Sequence, residues 1–148
     1  MKSRIRFTLI AIIAQPFIAA TLRAEDMVDF EKTILPILEE KCMSCHRAEY
    51  KTPEGRTKKP KGDLRLDDAK ALMEGGESGK AVVAGKPDES KLFELISLDA
   101  EHDDVMPPKD GPLPKEDIAA IKKWIEEGAA LGKWTESKFD AEGKKVAE

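Results

Sequence analysis

The chain has 148 residues with 25 basic and 29 acidic side chains, a formal charge of −4, so nucleic acid and anionic lipid would meet a field of the wrong sign. Its two cysteines lie only three positions apart, which excludes a scaffold stapled by several disulfides, and a 5% aromatic content leaves a core short of large rings. The length suits one domain with a single core or a single cofactor pocket.

Residues 1–24 begin with Lys2, Arg4 and Arg6, continue as an apolar stretch over 7–14, and offer Ala20 and Ala24 as small residues for cleavage. That order is the pattern of a secretory signal peptide. Gln15 and Pro16 interrupt an apolar run already short of the ~20 residues that cross a bilayer, so export to the periplasm or beyond is expected, without stable membrane insertion. Removal of 1–24 takes away four basic and no acidic residues, leaving 124 residues with 21 basic against 29 acidic side chains, a formal −8.

A domain is then expected over 25–135, followed by a polar, fraying tail over 136–148. Phe30, Ile34, Ile37 and Leu38 recur at helical spacing behind Asp26 or Asp29 as caps, with Pro36 set to kink or split the helix. Residues 47–62 are polar, rich in Pro and Gly, and read as an exposed loop. A short helix starts at Asp67 or Asp68 and stops at Gly75 and Gly76. Another carries Leu92, Leu95 and Ile96 to about Leu98, and 99–114 is irregular. Ile118, Ile121, Trp124 and Ile125 form the last period, closed by Gly128. Without a run of alternation long enough for a sheet, the fold is expected to be all-α.

Cys42, Met43, Ser44, Cys45 and His46 spell CxxCH. Two thiols at this separation can reach both vinyl groups of one porphyrin as thioethers, and the next residue then supplies an imidazole to the iron, which makes haem c the expected cofactor. Three other chemistries use the same residues. A redox dithiol would be expected inside a βαβ pattern that is not visible here, zinc would need His102 as a fourth donor, and a disulfide across so short a loop would stabilise little.

The sixth iron ligand is expected to be Met106, which stands 60 residues after His46 outside any helical period and is followed by Pro107 and Pro108. A thioether opposite an imidazole favours ferrous iron and closes the site to other ligands. His102 is the alternative, although Asp99, Glu101, Asp103 and Asp104 surround it with charge typical of a solvated loop. The glycines at 75, 76 and 79 follow no strand and read as turns, and neither HExxH nor GxSxG occurs, so no enzyme is expected.

The stretches FEKTILPILEEKCMSCH, KGDLRLDDAKALMEGG, SGKAVVAGKPDESKLFELI, VMPPKDGPL and EDIAAIKKWIEEGA resemble the planctomycete-type cytochrome c domain, within the wider class I cytochrome c group. The resemblance implies that Cys42 and Cys45 carry one covalent haem, that His46 is the proximal ligand and that Met106 is the distal one. It also implies the class I architecture, four to five helices around the haem, with the first and last crossing beside its edge. Arg65 is then a candidate partner for a haem propionate. The chain departs from common c-type patterns at Arg47, where glycine is frequent, in a long 47–61 segment, and at Leu113 and Pro114 in place of a serine cap on the last helix.

The function expected from these readings is single-electron transfer between redox proteins. Arg47, Lys51, Arg56, Lys58, Lys59 and Lys61 make the 47–61 loop a candidate dock for an acidic partner. Service as the electron-accepting subunit of an exported enzyme complex is the main alternative, drawn from related domains fused to larger proteins; haem-based sensing or peroxide chemistry would need an open sixth position.

Overall fold

Asp29 caps the first helical turn by accepting the Lys32 amide at 3.1 Å. The computed structural model describes residues 27–109, 111–140 and 145–146. The signal-peptide reading of 1–24 lies outside the described residues.

The first helix comes in two parts, as Pro36 requires. A π-helical turn, Phe30–Ile34, runs into helix α1, Leu35–Lys41, and Pro36 falls in the opening turn of α1, the part of a helix that best tolerates a missing N–H. Helix α2, Ala69–Glu74, is capped by the Asp68 carboxylate, which accepts the Ala71 amide at 2.8 Å. Helix α3, Lys91–Ile96, follows a 3-10 turn at Pro87–Glu89, and the buried hydroxyl of Ser90 joins the two by accepting from the Val83 amide and donating to the Lys86 carbonyl. Helix α4, Lys115–Glu126, has no side-chain cap and starts on Pro114 with Glu116 and Asp117 in its first turn, where carboxylates favour the helix dipole.

One expectation fails here. The segment read as an exposed loop contains a small antiparallel hairpin, strand β1 Tyr50–Lys51 against β2 Thr57–Lys58, with Tyr50 opposite Lys58. Two residues per strand are too few to leave a period of two in the sequence, so the turn residues were its one local trace. The described fold is therefore four α-helices with a short hairpin rather than purely helical.

The Phe30–Ile34 turn packs on α4, and Phe30 is the pivot. Its ring lies 5.3 Å from Trp124 and 5.1 Å from Trp134, both tilted contacts of the kind aromatic quadrupoles favour. Ile34, Leu38, Ile121 and Ile125 fill the core around it and are fully buried. The indole N–H of Trp124 is satisfied by the Ala130 carbonyl at 2.9 Å, so the largest buried side chain leaves no polar group unpaired.

Hydrogen bonds of the domain reach past 135: Glu136 bridges Asp68, the Ser137 amide donates to the Asp67 carbonyl at 2.8 Å, and the Ser137 hydroxyl donates to Glu39 at 2.7 Å. Polar composition marked a tail, but these polar groups are spent on hydrogen bonds inside the domain.

Truncation of the pivot, Phe30→Ala, is expected to cost about 3–5 kcal/mol in denaturant unfolding, the usual penalty for emptying a buried aromatic site. Met27→Ala, at a side chain 38% exposed, is expected to stay within about 0.5 kcal/mol of the parent.

Candidate functional site

Helix α1 delivers the CxxCH segment and the core holds it. The Cys42 and Met43 amides both donate to the Leu38 carbonyl at 2.9 Å, and the Cys45 and His46 amides to the Cys42 carbonyl at 3.1 and 3.0 Å. Met43 points into the core with no exposure, while Ser44 faces solvent, so the two interior positions of the motif have opposite duties. Downstream chain fixes the far end: the Lys61 amide donates to the Cys45 carbonyl at 3.0 Å and the Leu66 amide to the His46 carbonyl at 2.8 Å.

Cys42, Cys45 and His46 line a cleft of about 230 Å³ that opens to solvent. Leu64, Leu66, Leu92, Leu95 and Ile96 supply much of its apolar wall, and Met106 lines the same cleft. The Met106 amide donates to the Leu95 carbonyl at 3.1 Å, which ties the irregular 97–114 connection to α3 at the residue whose sulfur matters. The structure thus brings together four side chains that sequence reasoning singled out, two from a helix end and its turn, one beside them, and one from a segment 60 residues on.

The other two candidates lie elsewhere. His102 sits on an exposed turn, where its Nδ1 accepts the Asp104 amide at 3.1 Å, and it does not line the cleft. Arg65 does not line it either: its guanidinium forks onto the buried carboxylate of Asp67, Nε to Oδ1 at 3.0 Å and Nη2 to Oδ2 at 3.3 Å. The reason is legible in the sequence. Leu64 and Leu66 both face the cleft, and in extended backbone the residue between them points away.

Asp67 was missed by sequence reasoning. Besides Arg65, its Oδ2 accepts the Ala48 amide at 3.0 Å, so it holds the chain two residues beyond His46. Arg47 was misplaced: it is 6% exposed, with its guanidinium stacked 3.7 Å from the centroid of Tyr50 and 4.8 Å from that of Phe139. It belongs to the interior rather than to a solvated basic patch.

Charge around the cleft is one-sided among the described residues. Lys41, Lys61, Lys91 and Lys109 line it and no described carboxylate does, on a chain with a net charge of −4. Lys41 and Lys91 pair with Glu40 and Glu94, while Lys61 and Lys109 have no ion pair among the described residues.

The thiols are free, and burial together with the neighbouring Cys45 pushes the Cys42 thiol up to about 12. A redox dithiol needs its nucleophile shifted the other way, so the site lacks the electrostatics of that chemistry. Burial also holds the His46 imidazole below its ordinary pKa, against the weaker pull of the Lys61 and Leu64 backbone, which favours the neutral ring a metal requires. Its Nδ1 is buried without a hydrogen-bond partner. Among the described residues no group of three or more His, Cys, Asp or Glu side chains could hold a metal ion, so the zinc reading finds no ligand set there.

Residues 42–110 match the family model described as Planctomycete cytochrome C. The matched segment is a planctomycete-type cytochrome c domain. The match opens at the first cysteine of CxxCH and closes just beyond Met106, so it spans the cleft-forming segments while the Phe30–Ile34 turn and α4 lie outside it. Cytochrome c domains are haem-binding electron-transfer modules, and the paired cysteines at 42 and 45 fit haem c. No curated protein and no solved structure matches the chain. Among the described residues no helix is long and apolar enough to cross a membrane.

Neutralising the hub, Asp67→Asn, is expected to cost about 1.5–3 kcal/mol, the worth of hydrogen bonds to a charged group, and to speed amide exchange at Ala48. Native-state hydrogen exchange beside a denaturant melt checks both; an Ala48 amide that exchanges no faster would mean that Asp67 does not hold this loop.

Proposed function

We propose that the chain is an exported cytochrome with one haem c, passing single electrons between redox proteins rather than catalysing a reaction at the metal. The observation that carries this reading is the convergence of Cys42, Cys45, His46 and Met106 on one apolar cleft. The residues fit the group: two free thiols, an imidazole with a buried and unpartnered nitrogen, and a thioether in the same space. With only two cysteines in the chain there is a single attachment motif, which supports one haem. Export is supported by the basic and then apolar order of 1–24.

Bound in the cleft, the haem would supply a one-electron couple between ferric and ferrous iron. The protein's part is to hold the couple still and dry. Cys42 and Cys45 would tether the porphyrin, and His46 and Met106 would hold the iron, a donor set that favours electron carriage over sensing or peroxide chemistry. The class I arrangement around the haem is supported by the Phe30–Ile34 turn packed on α4.

The partner is proposed to present an acidic surface to the cleft mouth. This moves the dock from the hairpin, where Arg47 is buried and Lys59 lies 3.9 Å from Glu49, to the lysines that line the opening. Rim charges of this kind act on encounter rate and are screened by salt.

Secretion from a host competent for c-type haem attachment tests the central claim. One haem per chain should stay with the denatured polypeptide, and Cys42→Ser with Cys45→Ser should abolish that attachment. Met106→Ala should remove the weak far-red band of methionine-ligated ferric iron while His102→Ala keeps it. Haem that dissociates on denaturation would overturn the reading. For docking, Lys61→Glu with Lys109→Glu should slow electron exchange with an acidic redox protein several-fold at low salt and leave it near the parent rate at high salt; equal rates at low salt would remove the dock.

A further inference from the structure

The residue that follows His46 is a buried cation without an anion among the described residues. Arg47 is 6% exposed, its Nε is buried with no hydrogen-bond partner, and no carboxylate pairs with it among the described residues. What it has instead is two aromatic faces, Tyr50 at 3.7 Å and Phe139 at 4.8 Å from its guanidinium carbon to the ring centroids. Other charges in the neighbourhood are matched. Arg65 covers the buried Asp67, and Lys145 lies 2.9 Å from Glu39.

A π face attracts a cation through its quadrupole but carries no net charge, so it stabilises Arg47 without cancelling its field. A carboxylate in the same place would have cancelled it. Burial also removes the water and salt that screen surface charges. The α-carbon of Arg47 lies about 3.8 Å from that of His46 along the chain. The holders come from two directions: Tyr50 opens strand β1, and Phe139 belongs to the C-terminal segment fastened by Ser137 to Asp67 and Glu39.

We propose that Arg47 is a positioning residue that raises the reduction potential of the haem site, and that Phe139 serves it by keeping the guanidinium out of water. The inference rests on the reading of His46 as an iron ligand. Its sign follows from charge alone. The couple is one electron taken up by ferric iron from a redox partner, with no bond or proton exchanged, so ferric iron carries one positive charge more than ferrous. An unscreened cation nearby disfavours that extra charge and favours the reduced form. The polar-looking segment after 135 thereby acquires a task at the metal site, through one phenylalanine.

The test is spectroelectrochemical titration of the secreted, haem-loaded protein at fixed pH, at low and high salt. Arg47→Met should lower the midpoint potential, whereas Arg47→Lys, which keeps the charge and loses the planar stack, should stay near the parent. Phe139→Ala should lower it partway and make it more dependent on salt, because water then reaches the guanidinium. A folded Arg47→Met protein with the parent potential would overturn the proposal, as would an Arg47→Lys protein that falls as far as Arg47→Met, which would make the effect one of packing. If Arg47→Met cannot be recovered folded, Phe139→Ala decides: a parent-like potential at both salt concentrations overturns the proposal. A parent chain without covalent haem would overturn the functional reading and this inference with it, and its absorption spectrum alone distinguishes that outcome from the others.

Discussion

The carboxylate of Asp67 is the contact on which the site's geometry depends. It is 5% exposed and would be costly to bury alone, so the chain surrounds it with donors: the Arg65 guanidinium and the Ala48 amide. The same residue's carbonyl accepts from Ser137. Three pieces of chain far apart in sequence therefore meet at one residue: the loop after the motif, the LRL segment and the C-terminal segment. His46 stands between this anchor and the helix end that carries the cysteines, and its carbonyl is held by Leu66.

The cleft itself is built from small obligations met locally. Helix α1 ends where its last amides turn into the motif, and Met43 drives that turn into the core, so the cysteines have little freedom of direction. Helix α3 supplies apolar wall from Leu92, Leu95 and Ile96 and, through the Leu95 carbonyl, also fixes the backbone of Met106. A single short helix thus shapes the wall and places a candidate ligand. The pairing of Phe30 with Trp124 and Trp134 lies in the core and joins the first helix to the last, so the outer elements brace the inner ones.

Much of this was legible in the sequence because the signals were local. The CxxCH spacing, the Asp68 cap with its Gly75 stop, and the apolar period of α4 each involve neighbours within one or two turns. Met106 stood out for a different reason: it precedes two prolines outside any helical period, and the structure places it against the core and on the cleft. What stayed hidden required contacts between distant residues. Nothing near Arg47 announces Phe139, 92 residues on, and a charged side chain in a basic segment reads as solvated until its partners are known. Arg65 is the instructive middle case. Its alternation with Leu64 and Leu66, which line the cleft, directs its side chain away from it, toward Asp67.

The close approach of two loops at the cleft carries a consequence for the physics of electron transfer. A side chain at Gly76 would drive its first carbon into the Gly62 carbonyl oxygen, and the Glu77 amide donates to that same carbonyl at 2.9 Å. Gly62 and Gly76 both line the cleft, so this part of the wall is backbone against backbone, without side chains that could change rotamer. Tightly packed protein has low compressibility. That stretch of wall has little room to readjust when a charge inside the cleft changes by one unit, so its own share of the reorganisation around a transferred electron would be small.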